Sequence, residues 1–136
     1  MEPALAIFAP LLAKCFAATL SPGVIDRHCF AAVYGEAHVR DTHVVTAGGK
    51  AVYSGETIYS FDGKGLEFTY FNSMGGVGHG TVAVQTAVLT FSGSMKADPS
   101  KTPQPMSGKW TIGEGGYEVA TDGQPTRRFT LSLAAS

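Results

Sequence analysis

Beyond residue 14 the chain alternates short apolar runs with turn chemistry, and nowhere does it sustain the 3.6-residue periodicity of a helix. Pro22-Gly23, Gly35-Glu36, Gly48-Gly49, Asp62-Gly63 and Gly75-Gly76 recur at intervals of 12 to 14 residues, the rhythm of an antiparallel meander. The pattern predicts strands at 15–21, 24–34, 37–47, 50–61, 65–73 and 77–85, and a second group at 88–96, 107–113, 116–121 and 127–134. "KADPSKTPQP", with three prolines, reads as an exposed loop. The apolar stretch Pro3 to Ala13 reads as a short helix or lid packed on the fold. Eight to ten up-and-down strands in so small a chain leave two unpaired edges. Closing the sheet removes them and encloses room for one small ligand. The expected fold class is therefore all-β: one antiparallel up-and-down β-barrel domain over residues 1–136. A β-sandwich is the rival, and the regular succession of hairpins favours the barrel.

Turns also convert sequence positions into neighbours, because residues paired across a hairpin point to the same face. A loop centred on Gly35-Glu36 sets His28 opposite His43 and Phe30 opposite Asp41. A two-residue loop at Gly48-Gly49 sets Asp41 opposite Glu56 and His43 opposite Ser54, and Asp62-Gly63 brings Thr69 and Glu67 beside Glu56 and Ile58. One face then carries His28, Phe30, Asp41, His43, Glu56, Thr69 and Phe71. The other carries Arg40, Tyr53, Thr57, Tyr59, Phe61, Phe68 and Tyr70. Val82, Val84, Leu89 and Phe91 continue the first face while their alternates are polar, which argues that the histidine face is inside. A single bulge would reverse that inference, since a one-residue slip turns every later side chain over. With the histidines inside, the tyrosine-rich face is external and apolar enough to serve as a homodimer contact.

Composition narrows the classes without selecting one. Ten basic and eleven acidic residues give a net charge of −1, with no basic run to attract nucleic acid or an anionic membrane surface. The N-terminus has Glu2, Pro10 and Lys14 where a secretory signal would have a basic segment followed by an unbroken apolar one. No stretch of about 18 apolar residues is present to span a membrane as a helix. Cys15 and Cys29 are too few for a disulfide framework. Although the Pro22-Gly23 turn would bring them close, they read as reduced buried thiols of a cytoplasmic protein, with export as the alternative.

The chemistry lies in His28, Asp41, His43 and Glu56. Two carboxylates facing each other in a low-dielectric interior repel unless a proton, a histidinium or a metal stands between them. The set suits a satisfied network that orders the wall or fixes a ligand's polar end. It also offers general acid–base chemistry, and two histidines with one carboxylate are a ligand set for iron or zinc. No cofactor is predicted. A heme or a divalent metal at His28/His43 is the alternative. Were the other face internal, Arg40, Thr57, Tyr59 and Tyr70 would line a cage suited to a carboxylate headgroup. Gly75-Gly76-Val77-Gly78-His79-Gly80 lacks the Lys-Ser/Thr and the helix of a phosphate-binding loop and reads as a hairpin turn.

Taken in order, the apolar N-terminal segment, the Asp26-x-His28 strand, the Arg40-Asp41-Thr42-His43 strand, "YSGETIYSFDGKGLEFTYFNSMGG" and the trailing hairpins resemble the small bacterial lipocalin-like barrels of the calycin type. The resemblance covers most of the chain and implies a barrel with a ligand cavity, with no catalytic residues to carry over. The expected function is binding of a small, largely apolar molecule with a polar end. An enzyme using the His28/Asp41/His43/Glu56 cluster and a dimeric interaction module are the alternatives.

Overall fold

The computed structural model describes residues 1–132. Ten strands form one closed antiparallel barrel: β1 (Lys14–Ser21), β2 (Val24–Val33), β3 (His38–Ala47), β4 (Lys50–Phe61), β5 (Leu66–Asn72), β6 (Val77–Gln85), β7 (Val88–Lys96), β8 (Gln104–Gly113), β9 (Gly116–Thr121) and β10 (Arg127–Ser132). Each strand pairs with its sequence neighbours, and β1 pairs with β10 to close the ring. The expected strands 133–134 of the last segment lie outside the described residues. β8 begins at Gln104, earlier than the prolines of its approach loop suggest, because Met95 pairs with Gln104 and Ser94 with Pro105.

The N-terminal segment Pro3–Leu11 is a 3-10 helix. It stops one end of the barrel. Its Leu5, Phe8 and Leu11 are fully buried, and the Phe8 ring meets that of Tyr59 at 4.4 Å. Ala13 donates to the Phe30 carbonyl at 2.9 Å, fastening the end of the plug to β2. From there the core is mainly aromatic. Tyr59, Phe91, Trp110, Tyr117 and Phe129 follow one another in ring contact, and Phe129 meets His28 at 5.1 Å.

Two features depart from expectation. Cys15 and Cys29 are directly paired across β1 and β2 and are joined as a disulfide, so they are not the reduced thiols anticipated. They share the outer face of the sheet with Arg27, since Phe16 and His28, their alternates, point inward. The second is a bulge in the β3–β4 ladder between Val45 and Thr46. Ala47 pairs with Lys50 and Thr46 with Ala51, but Val45 pairs with Tyr53, leaving Val52 extra and 61% exposed. From that point to the start of β6 every side chain lies on the face opposite to the one expected. A second departure, in the β5–β6 connection, pairs Leu66 with Val82 and restores the original facing, which is why Val82, Leu89 and Phe91 are buried inside as anticipated.

Candidate functional site

His28 and His43 are directly paired across β2 and β3, because the loop between Val33 and His38 holds an even number of residues. Their rings stack, with centroids 4.5 Å apart. Asp41 points inward beside them from β3 and is 2% exposed. The first three expected residues therefore do converge inside the barrel.

The fourth does not. The Val52 bulge pairs Asp41 with Thr57 and sets Glu56 opposite Thr42, on the outer face, where it makes a 3.6 Å ion pair with Arg40. Thr69 and Phe71 face outward for the same reason, and Phe71 is 48% exposed. In their place come residues of the alternative face, Thr57, Tyr59 and Tyr70, while Arg40 stays outside. The lining thus combines three of the six residues first expected with three of the four alternatives. Tyr53, Tyr59, Phe68 and Tyr70, which would have formed an external homodimer surface, face the interior.

The histidines belong to a continuous hydrogen-bonded chain. His28 Nδ1 lies 2.8 and 2.9 Å from the two oxygens of Asp41, and its Nε2 lies 3.1 Å from Asp26 Oδ2. His43 Nδ1 lies 3.0 Å from Asp26 Oδ1, and its Nε2 lies 2.8 Å from the Tyr70 hydroxyl. The Tyr70 hydroxyl in turn lies 2.7 Å from that of Tyr53. The order along the strands places Asp41 deepest and Tyr53 nearest the end opposite the plug. Room for Tyr70 comes from Gly55, the residue paired with His43. A Cβ there would stand 2.4 Å from the Tyr70 oxygen, so any side chain would push the phenol away from its partners.

Electrostatics fix the proton arrangement at the deep end. Both ring nitrogens of His28 face ionised carboxylates, which only accept, so the ring donates from both and is an imidazolium. Burial works against that charge, but the field of Asp41 and the hydrogen bonds to Asp26 and Asp41 outweigh it and raise the His28 pKa to about 10. Burial would likewise raise Asp26, yet the hydrogen bonds from His28 and His43 and the positive charge of the His28 ring hold it well below the usual carboxylate range. In its Nδ1–H tautomer His43 donates to Asp26 and accepts from Tyr70. Tyr70 is raised far above an ordinary phenol, first by burial and then by its bond to Tyr53, so it remains a protonated donor.

Asp26 is the member of this chain that reading the sequence alone leaves out, and Tyr53 is assigned there only to the alternative face. Asp26 carried a signal: it is two residues from His28 on a strand, hence on the same face, and Asp-x-His is a compact donor spacing. The joining of Tyr53 to the histidine side carried none, because it depends on the bulge.

Two chambers adjoin the network, and Trp110 lines both. One, of about 150 Å³, is walled by Phe68, Phe91, Met95, Met106 and Trp110 and reaches Thr57, Tyr59 and Tyr70. The other, of about 250 Å³, is lined by Asp26, His28 and Arg127 and by the rings of Trp110, Tyr117 and Phe129. Tyr117 is fully buried, and its hydroxyl has no hydrogen-bond partner among the described residues. A larger, more open groove of about 660 Å³ lies outside, between the plug and the strand ends, with Lys64 as its one charged residue.

No protein-family model matches the chain, and comparison with curated proteins finds no match. Among the described residues no helix is long and apolar enough to cross a membrane.

Proposed function

We propose that the barrel, in the manner of the lipocalin-like family it resembles, binds a small, largely apolar molecule of single-ring size with one polar end. The observation that carries this reading is the smaller chamber. Its wall is mainly aromatic and thioether, with a few hydroxyl-bearing side chains among its lining, Thr57, Tyr70 and Thr121. Sites for drug-sized ligands run to about 300–1,000 Å³, whereas an apolar cavity of about 150 Å³ accommodates benzene. The occupant is accordingly small. The orphaned hydroxyl of Tyr117 supports a further polar contact deep in the interior, since a buried hydroxyl without a partner is costly.

An acid–base enzyme is the weaker reading of the same cluster. A general acid works best with a pKa near the operating pH, and His28 at about 10 holds its proton too firmly for that. The Cys15–Cys29 bond supports residence in an oxidising compartment in place of the cytoplasm that free thiols would favour.

Trp110, the sole tryptophan, borders both chambers and reports on occupancy. Toluene and p-cresol should each change its emission saturably. The cresol should bind more tightly, and Tyr70→Phe should abolish that preference. Thr57→Phe, which fills the chamber from β4, should remove both responses while leaving the circular dichroism unchanged. Emission that stays constant up to the solubility limit of both probes would overturn the reading.

A further inference from the structure

Asp26 occupies an unusual place, between two imidazoles whose outer nitrogens are themselves engaged. We propose that Asp26, His28 and His43 form a binding site for a divalent first-row transition ion, zinc being the best fit, with Asp41 and Tyr70 as the groups that orient the two histidines. The site is independent of whether the Thr57–Tyr70 chamber takes a ligand.

The donor geometry comes first. Asp26 Oδ2 and His28 Nε2 are 3.1 Å apart, Asp26 Oδ1 and His43 Nδ1 are 3.0 Å apart, and one donor atom from each residue lies within 4.8 Å of the others. Zinc holds nitrogen and oxygen donors at about 2.0–2.2 Å, which places neighbouring donors of a tetrahedron about 3.3 Å apart. Each imidazole nitrogen therefore lies near metal spacing from the Asp26 carboxylate, on a different oxygen of it, and side-chain rotation would bring one donor atom from each residue around an ion. Two imidazoles and a carboxylate are also a donor set that zinc and iron accept.

The supporting shell is independent evidence. A metal-bound histidine usually donates its remaining ring N–H to a carboxylate or another acceptor, which fixes its tautomer and orientation. Both histidines here have that arrangement. His28 has Nδ1 on Asp41, which leaves Nε2 toward Asp26, and His43 has Nε2 on Tyr70, which leaves Nδ1 toward Asp26. With a metal on Nδ1, His43 donates from Nε2 to the Tyr70 oxygen, and Tyr70 donates onward to Tyr53, so the chain stays fully satisfied.

Charge and access point the same way. Asp26 and Asp41 are two carboxylates at low exposure, 14% and 2%, and their negative charges require compensation. One divalent cation with two neutral imidazoles leaves the cluster neutral, which protons achieve only if both rings are charged. Asp26 and His28 also line the 250 Å³ chamber, so the ion would have an entry route and an open fourth position there. Strands β2 and β3 hold all three donors, and paired strands are a rigid platform for a coordination site.

The test is a zinc titration of chelator-stripped protein followed by NMR of the histidine rings. Binding at a ratio of one should move the ring signals of His28 and His43 and leave those of His38 and His79 in place. Cobalt in place of zinc should give the intense visible bands of a four- or five-coordinate site. Competition against a chromogenic chelator should show Tyr70→Phe weakened by about 10- to 100-fold, the usual effect of losing an orienting partner. Asp26→Asn should lose the site and His79→Ala should keep it. Zinc that shifts only the exposed histidines, that binds Asp26→Asn as well as the parent, or that binds with no ring shift would each overturn the proposal. The ring shifts are read on the unmutated protein, so the outcome does not depend on how the variants fold.

Discussion

At the scale of single residues, the interior is governed by one ring that bears two protons. His28 is raised from the ordinary imidazole value of 6.5 to about 10, so the folded state binds its proton far more tightly than the unfolded chain does. The sign follows from linkage. The stability this gives is fully present below pH 6.5 and is lost as pH rises through 10. Denaturation with urea in the presence of a chelator should therefore show stability declining steadily across that window, and Asp41→Asn should flatten the decline. A level profile for the parent would contradict the buried imidazolium. Tyr117 tests the opposite case, a polar atom that makes no bond. Removing a partnerless buried hydroxyl should be neutral or stabilising by up to about 1 kcal/mol, so Tyr117→Phe should melt no lower than the parent. A clear loss of stability would mean that the hydroxyl has a partner.

At the scale of strands and turns, the disulfide and the bulge decide what the sequence could reveal. Cys15 and Cys29 close a loop with a separation of 14, and a bridge over about 15 residues is worth roughly 3 kcal/mol by loop entropy. Reduction, or the double change Cys15→Ser with Cys29→Ser, should lower unfolding stability by about 2–3 kcal/mol while the barrel still forms. Chemical denaturation with and without reductant measures this. The proximity of the two cysteines was legible from the Pro22-Gly23 turn, but their oxidation state was not, because identical spacing serves thiols and disulfides alike. The pairing of His28 with His43 was legible because it needs only an even loop. Glu56 was misplaced because one extra residue, Val52, sits in β4 without any glycine or proline to mark it. A second departure before β6, in the glycine-marked connection through Gly75-Gly76, cancelled the first. The aliphatic positions after it were thus assigned correctly although the register leading to them was wrong. Strand existence is written in turn residues, whereas strand facing depends on bulges that leave no local trace.

At the scale of the whole molecule, the barrel is stopped at one end by the 3-10 plug and carries its polar network toward the other. Phe8 joins the two levels, touching Tyr59 at the base of the aromatic column. Phe8→Ala should cost about 3–5 kcal/mol, the range for truncating a buried aromatic, with thermal or urea unfolding as the measurement. A loss below about 1 kcal/mol would show the plug to be an appendage. The even succession of hairpins and the apolar N-terminal segment made this architecture readable at the outset. The network was readable only in part, because it draws on β2, β3, β4 and β5 together.

Closure by β1 and β10 also imposes an order on biosynthesis. The plug and β1 leave the ribosome well before β10, the strand that completes the ring. Until then the nascent chain carries two raw sheet edges and a plug whose socket is unfinished. The β1–β2 cystine can form before either edge is paired, since both of its strands have already emerged. Oxidation at that stage would thus secure the first hairpin and hold one of the two edges ready for the arriving tenth strand.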